Sequence, residues 1–382
     1  VKSVYFHIPF CVRKCGYCTF ASIPQTRWNR SVLGRYLDAV KSEIAGRSSD
    51  RDEVDTVYFG GGTPSVLESS DIGGLIEEVR ECYAMQEGSE ITMEINPGTV
   101  DAEGLKSFRK AGINRVSIGV QSFDDDVLIS LGRIHSRKDV DRIMQGIDAA
   151  GFQSYSIDLM FAFPGQTPED WDRTLQEALA FHPPHISVYC LTAEEGSPIG
   201  DSILRGETVA PSDEISLAMY QRLCNTLGER GYEHYEISNF ALDGHRCLHN
   251  WRYWSGGEYL GFGSSASSYE RRWRFTNQGD PFDYMERIEK GGSAVCEGER
   301  LSPERQMGEY VMMALRTCEG VSLNYFLQRF GIDFSQCFGD KAASLLNDGY
   351  LIEIDVGGEE GRSLRIPEHH FFTASEIALR FM

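Results

Sequence analysis

The chain predicts an α/β fold built on a parallel sheet, and three observations carry that expectation. β-branched and aromatic runs alternate with amphipathic segments through the first two thirds of its 382 residues. Such alternation marks βα units, because parallel strands need a crossover that also covers the sheet. The composition, 41% hydrophobic and 25% charged, is that of an ordinary globular protein, and a chain of this length buries a large core in two or three domains. Finally, Cys11, Cys15 and Cys18 follow the first apolar run directly, at a strand's carboxyl end, where ligands gather in parallel α/β folds.

Strands are expected at Val4–Pro9, Thr56–Gly60, Glu90–Asn96, Arg115–Gln121, Ser154–Phe163 and His185–Leu191, each a short run rich in β-branched and aromatic residues. Amphipathic segments near 31–45, 70–83, 101–111, 124–131, 137–150 and 168–180 supply the crossovers, with a further helix over 212–230. Six such units leave a choice between an open doubly wound sheet and a barrel, complete or partial. No G-x-G-x-x-G follows the first strand, which counts against a dinucleotide-binding sheet.

Residues 235–300 are rich in Gly, Tyr and Trp with weak periodicity, and read as loops plus a short hairpin. From Ser302 the pattern is helical again, over 302–317, 322–329 and 341–348. A strand pair, 350–354 and 363–366, then brackets Val356-Gly357-Gly358, and a last helix covers 373–380. Helices followed by a hairpin form a winged-helix-like unit. Its seven basic and twelve acidic residues argue against DNA and for a packing module or lid. The expected division is therefore 1–234, 235–300 and 301–382.

The whole chain carries 37 basic and 57 acidic residues, a net charge of −20. That field repels phosphate backbones, so nucleic acid is excluded as a general partner. Ten cysteines without a framework spacing suggest reduced thiols. No charged-then-apolar leader is visible, and the longest apolar stretches, such as Ile157–Pro164, are too short to span a bilayer. A soluble cytoplasmic protein is expected.

In His7-Ile8-Pro9-Phe10-Cys11-Val12-Arg13-Lys14-Cys15-Gly16-Tyr17-Cys18, three thiolates enter one small volume. Three cysteines on a four-iron cubane leave one iron open for a small molecule. A structural zinc site wants a closed shell and would need His7 as a fourth ligand; three unrelated thiols are the remaining reading. The spacing favours the cluster. Other strand ends bring Gly60-Gly61-Gly62-Thr63-Pro64, where backbone can approach a ligand closely, then Glu94, suited to ribose hydroxyls or an ammonium group, and Gln121. Arg133 offers a fork for a carboxylate. Asp158, flanked by apolar residues, is a buried acid in need of partners. His135 is read as structural.

Together these motifs resemble the radical S-adenosylmethionine (SAM) superfamily, whose signature is C-x3-C-x2-C with an aromatic residue, here Tyr17, before the last cysteine. The resemblance implies a partial (β/α)6 TIM-like barrel and a [4Fe-4S] cluster on Cys11, Cys15 and Cys18. SAM would chelate the open iron and be cleaved reductively. Tyr5 through Cys11, Gly60–Pro64, Gln121-Ser122-Phe123 and Leu131-Gly132-Arg133 look more narrowly like the anaerobic coproporphyrinogen-III oxidase family, over nearly the entire chain. That family implies SAM contacts at Tyr5, Gly61, Glu94 and Thr192. It further implies an adjacent site, holding a second SAM in the oxidase, at Tyr17, Gly62, Thr63, Gln121, Arg133 and Asp158.

Two departures separate this chain from the oxidases: Phe20 stands where they carry a fourth cysteine, and only ten residues precede Cys11. Both are shared by heme chaperones of the same family. So is His249-Asn250-Trp251-Arg252-Tyr253-Trp254, which fits their H-N-x-x-Y-W pattern for heme. The resemblance implies heme bound by His249, Asn250, Tyr253 and Trp254, with Arg252 near a propionate and Cys247 as the alternative iron ligand. It implies delivery to an acceptor hemoprotein, an electron donor for the cluster, and a chaperone rather than an enzyme. A membrane-bound acceptor, a homodimer and SAM consumption stay open. The alternatives are oxidative decarboxylation of coproporphyrinogen III and methyl transfer from a second SAM.

Overall fold

A computed structural model describes residues 1–48, 52–357 and 361–382; Gly358 of the expected turn lies outside them. The chain forms two compact units, one of residues 1–219 and 258–299, the other of 220–257 and 300–382.

In the first unit, β1 (Lys2–Ile8), β2 (Glu53–Gly61), β3 (Ala84–Ile95), β4 (Arg115–Gln121), β5 (Ser154–Phe161) and β6 (His185–Cys190) lie side by side in chain order. All five junctions are parallel. The linear order is that of a partial barrel, so the choice left open by the sequence resolves toward it. Crossovers are α1 (Arg30–Arg47), α2 (Ser69–Cys82), α3 (Ala102–Ala111), α4 (Asp125–Ser130), α5 (Arg137–Ala150) and α6 (Pro168–Leu179). Their starts follow from side-chain caps: Asn29 accepts from Val32 N at 3.0 Å and Asp101 from Gly104 N at 2.8 Å, satisfying amides that a helix leaves unpaired.

Apolar and polar residues alternate along β1 and β4, and less regularly along β5, where Leu159, Met160 and Phe161 are all buried. Val4, Phe6, Ile8, Val57, Phe59 and Met93 are fully buried, and Phe6 stacks on Phe59 at 4.8 Å. The opposite face is polar and bonded across strands. Thr56 donates to Ser3 at 2.6 Å, Ser117 to Asp158 at 2.8 Å, and Ser156 pairs with Ser187 at 3.0 Å. A sheet with apolar residues on one face and hydroxyls and carboxylates on the other leaves its polar face for a ligand.

The segment expected as loops is more regular than its sequence suggests. Tyr259–Phe262 pairs in parallel with β1, from Ser3↔Tyr259 to Phe6↔Phe262. Antiparallel strands Ser267–Glu270 and Trp273–Asn277 continue the sheet, Val295–Arg300 ends it, and Pro281–Glu289 is helical. Strands of four or five residues are too short for alternation to show, and the partner strand is at the far end of the chain. Glu43 on α1 fixes this segment: it accepts from Tyr284 Oη at 2.7 Å, Asn277 Nδ2 at 2.8 Å, Gly263 N at 3.0 Å and Arg47 at 3.0 Å. A buried carboxylate needs such a set of donors.

In the second unit, Glu233–Glu236 and Asn239–Ala241 form the expected hairpin, and Leu248–Trp254 is a short helix. Helices Pro303–Ala314, Leu323–Phe330 and Phe334–Asn347 accompany a three-stranded sheet of Val321–Ser322, Gly361–Arg365 and Ile352–Gly357. Phe326, Phe334, Phe338 and Phe381 fill its core, in keeping with the winged-helix-like expectation. No helix among the described residues is long and apolar enough to cross a membrane.

Candidate functional site

The cysteine loop is pinned at both ends by backbone. Phe10 and Cys11 pair in parallel with Ile23 and Pro24, and Trp28 Nε1 donates to the Cys11 carbonyl at 3.1 Å. Further along, Gly16 N donates to Leu131 O at 2.9 Å, and Ile199 N to Gly16 O at 2.8 Å. Cys11 is buried, Cys15 and Cys18 half-buried. Burial pushes the Cys11 and Cys18 thiols up; Cys11 also lies in the field of Cys15, and Cys18 in that of Cys15 and Cys11. His7 is committed elsewhere: Nε2 lies 2.8 Å from Ala21 O and Nδ1 3.2 Å from Tyr5 Oη. Both ring nitrogens of His7, the fourth ligand that a zinc site here would need, are thus in hydrogen bonds.

The triple glycine wraps this loop. Gly62 N donates to Ile8 O and Thr63 N to Phe10 O, both at 2.8 Å. A Cβ on Gly62 would lie 2.8 Å from Ile8 O and 2.9 Å from Phe10 O, so only glycine allows this approach. Gly61 adopts φ +106°, and a Cβ there would strike the His7 ring. Thr63 Oγ1 donates to Cys11 Sγ at 3.5 Å and accepts from Asn96 Nδ2 at 2.9 Å.

Beside the loop, Tyr5, Tyr58 and Glu94 surround Gly60. Glu94 accepts from Tyr58 Oη at 3.0 Å and Gly61 N at 3.3 Å. The residue is half-buried, and burial of its carboxyl pushes the pKa up to about 7. Asp158 is likewise pushed up by burial, against the hydroxyls of Ser156 and Ser117 that hold it.

Arg133 is buried and occupied. It donates to Gly119 O at 2.6 Å, to Asn96 Oδ1, to Tyr17 Oη at 3.3 Å and to Cys15 Sγ at 3.5 Å. Its fork braces the loop, and Nε is left without a partner. Gln121 ends β4 at φ +66° with Oε1 buried and unbonded. A non-glycine residue held there marks a position that the surroundings over-determine. Thr192 lies exposed just past β6, and Phe20 is 67% exposed. His135, read as structural, is buried with Nε2 3.2 Å from Val120 O.

Tyr5, Tyr17, Gly61, Gly62, Thr63, Glu94, Gln121 and Arg133 thus share one strand-end cluster with the three cysteines, and Asp158 sits on the polar face below. Sequence reading gave no role to Asn96, Tyr58 or Ser117. Asn96, between a strand and Pro97, was the detectable one.

In the second unit, His249 is 1% exposed, with Nε2 2.8 Å from Tyr253 Oη one helical turn on. Asn250, Trp251, Arg252, Tyr253 and Trp254 are half-buried, and Cys247 is fully buried. The guanidinium of Arg246 lies 5.0 Å from the Trp251 ring and that of Arg316 5.7 Å from Trp254.

Sequence profiles of the Radical SAM superfamily and of the HemN C-terminal domain match residues 5–178 and 301–358. Membership of the former implies a [4Fe-4S] cluster and SAM. The protein named heme chaperone HemW in Synechocystis is 37% identical, over 84% of this chain and 79% of the relative. Its Bacillus subtilis namesake is 33% identical over 92% and 93%. The solved structure of Escherichia coli coproporphyrinogen III oxidase (HemN), described as a radical SAM enzyme, superposes with a TM-score of 0.82 at 24% identity. That likeness covers 99% of this chain and 89% of the oxidase and establishes the shared α/β fold. At 37% identity to a curated relative over 84% of this chain and 79% of that relative, the protein belongs to the HemW family of the radical SAM superfamily.

Proposed function

We propose that this protein is a heme chaperone that binds heme and transfers it to an acceptor hemoprotein, working on a radical SAM scaffold. The observation that carries this reading is His249–Trp254, an aromatic helix bearing a histidine, in a chain 33–37% identical to HemW relatives over most of its length. Imidazole is a common axial ligand of heme iron, and Trp251, Tyr253 and Trp254 offer flat apolar surface. His249, Asn250, Tyr253 and Trp254 form the proposed heme site, with Cys247 as the competing iron ligand. Because His249 is buried against Tyr253, binding requires that hydrogen bond to open.

Cys11, Cys15 and Cys18 are the proposed cluster ligands. The donor set suits an open cluster: three thiols on a loop braced by Thr63 and Arg133, with His7 bonded elsewhere. Bound there, cluster and SAM supply one-electron reductive chemistry. Tyr5, Gly61, Glu94 and Thr192 would hold that SAM, Glu94 presenting its carboxylate and Gly61 its backbone. Tyr17, Gly62, Thr63, Gln121, Arg133 and Asp158 would line the adjacent site, where the unbonded Gln121 Oε1 and Arg133 Nε await partners. The functional division follows 1–234 for cluster and SAM, 235–300 for heme and 301–382 as accessory unit. An external electron donor and a cytoplasmic setting complete the reading, the latter supported by ten free cysteines.

Heme titration of the cluster-loaded protein should give a Soret band that weakens in His249→Ala and survives in Cys247→Ser. An unchanged band in His249→Ala would remove that ligand. Anaerobic conversion of coproporphyrinogen III to protoporphyrinogen IX would overturn the chaperone reading in favour of the oxidase. Phe20, at the oxidases' fourth cysteine, argues against that outcome.

A further inference from the structure

Away from the cysteine loop, the second unit gathers a thiol, an imidazole and a carboxylate at one point. Cys224 lies on helix Asp213–Glu229, His234 on strand Glu233–Glu236, and Glu368 opens the 3-10 turn Glu368–Thr373. One ligand atom from each lies within 4.8 Å of the others. Cys224 Sγ is 3.9 Å from His234 Nδ1, which is 3.3 Å from Glu368 Oε1. A tetrahedral ion with bonds of about 2.0 Å to nitrogen and oxygen and about 2.3 Å to sulfur spaces such atoms about 3.3–3.6 Å apart. The thiol and the carboxylate, within 4.8 Å of one another, reach that spacing with side-chain shifts of up to about 1 Å.

On the far side of the ring, His234 Nε2 is 3.2 Å from Tyr220 Oη, which donates to Ile237 O at 3.2 Å and also hydrogen-bonds Cys224. Nδ1 faces the thiol and the carboxylate. With the ring proton on Nε2, toward Tyr220, its lone pair is available to an ion. Hydrogen bonding at the other nitrogen is how metal-binding histidines are held in register. Here the ring is also fixed by stacking on Phe240 at 4.1 Å and an edge contact with Phe371 at 4.9 Å.

We infer that Cys224, His234 and Glu368 form a Zn²⁺ site, separate from the cysteine loop. One thiolate, one imidazole and one carboxylate make a borderline donor set, which suits zinc and not the oxygen-seeking Mg²⁺ or Ca²⁺. The Cys224 thiol proton leaves to solvent as the ion binds. Glu368 is 60% exposed, so the fourth position opens to water. The ion joins the helix, the hairpin and the turn leading into the final helix Ala374–Leu379, and so clips the C-terminal segment in place.

The test uses cluster-loaded full-length protein, freed of loose metal, equilibrated with zinc chloride and assayed for zinc and iron by mass spectrometry. About one zinc per chain is expected beside the cluster iron. Glu368→Gln, at an exposed position, should weaken zinc binding at least about tenfold while leaving the fold intact, and Tyr220→Phe by about tenfold. Cys224→Ser should abolish it; if that variant fails to fold, Glu368→Gln decides alone. No zinc in the folded wild type, or zinc unchanged in Glu368→Gln and Cys224→Ser, overturns the site. So does zinc that follows Cys11→Ser instead. Heme titration is read separately and does not depend on the result.

Discussion

Arg133 donates to the Cys15 sulfur at 3.5 Å across 118 positions of sequence, while its other nitrogen holds the Gly119 carbonyl at 2.6 Å. One guanidinium thus ties the cysteine loop to the end of β4. Buried arginine with this many acceptors braces a site as well as charging it.

Lysine has no planar fork, so Arg133→Lys should keep the charge and lose the bracing. Two buried acceptors would be left short, for a loss of about 2–3 kcal/mol. Thermal unfolding should fall by several degrees and SAM affinity by about tenfold, measured by calorimetry. Equal stability and affinity would show that Arg133 does not brace the loop.

Removing any one of Cys11, Cys15 or Cys18 as serine should bleach the reconstituted protein and abolish its iron and sulfide, since a cubane held by three thiolates has no spare ligand. Bound zinc without iron or sulfide in the wild type would refute the cluster.

Gly62→Ala should be as damaging as a cysteine change, because the new methyl meets the Ile8 and Phe10 carbonyls, which are backbone and cannot turn aside. The expected cost is about 1–3 kcal/mol, with cluster content lost. Gly34→Ala, where a Cβ meets nothing within 4 Å, is the control and should leave both unchanged.

Glu94, held near pH 7 by burial, gives a pH signature. Its folded pKa lies above the unfolded carboxyl value, so the folded state binds the extra proton between about pH 4.5 and 7. Its contribution to stability is therefore lost as pH rises through that window. Burying the ionised form costs at most about 3 kcal/mol above pH 7. SAM-free Glu94→Gln should gain on the wild type at pH 8 and not at pH 4. In the proposed SAM site the carboxylate would be the binding form, so SAM binding should run the other way: wild-type affinity should weaken below about pH 7 and Glu94→Gln should be flat. Parallel pH profiles for the two proteins would discount Glu94 as the titrating group.

Arg115–Gln121 and Arg137–Ala150 were legible to the residue, because period-two and period-3.6 patterns over seven or more residues are hard to mistake. The cysteine loop, the triple glycine and Glu94 were legible as chemistry, since local spacing delivers their groups to strand ends. Short strands such as Tyr259–Phe262 were not, because four residues carry no readable period and their order comes from pairing with β1.

By itself, the sequence determined the parallel α/β architecture, the three-thiol loop after β1 and the resemblance to radical SAM proteins. Each rests on neighbours in the chain. Tertiary structure alone decided that His7 is bonded away from the cysteines, that Arg133 is spent on bracing, and that Glu43 anchors a distant segment. It also brought Cys224, His234 and Glu368 within reach of one ion. Those outcomes depend on which groups the fold carries to one point, from 14 positions away for His7 to 241 for Glu43, and no periodicity of the local sequence encodes such partners.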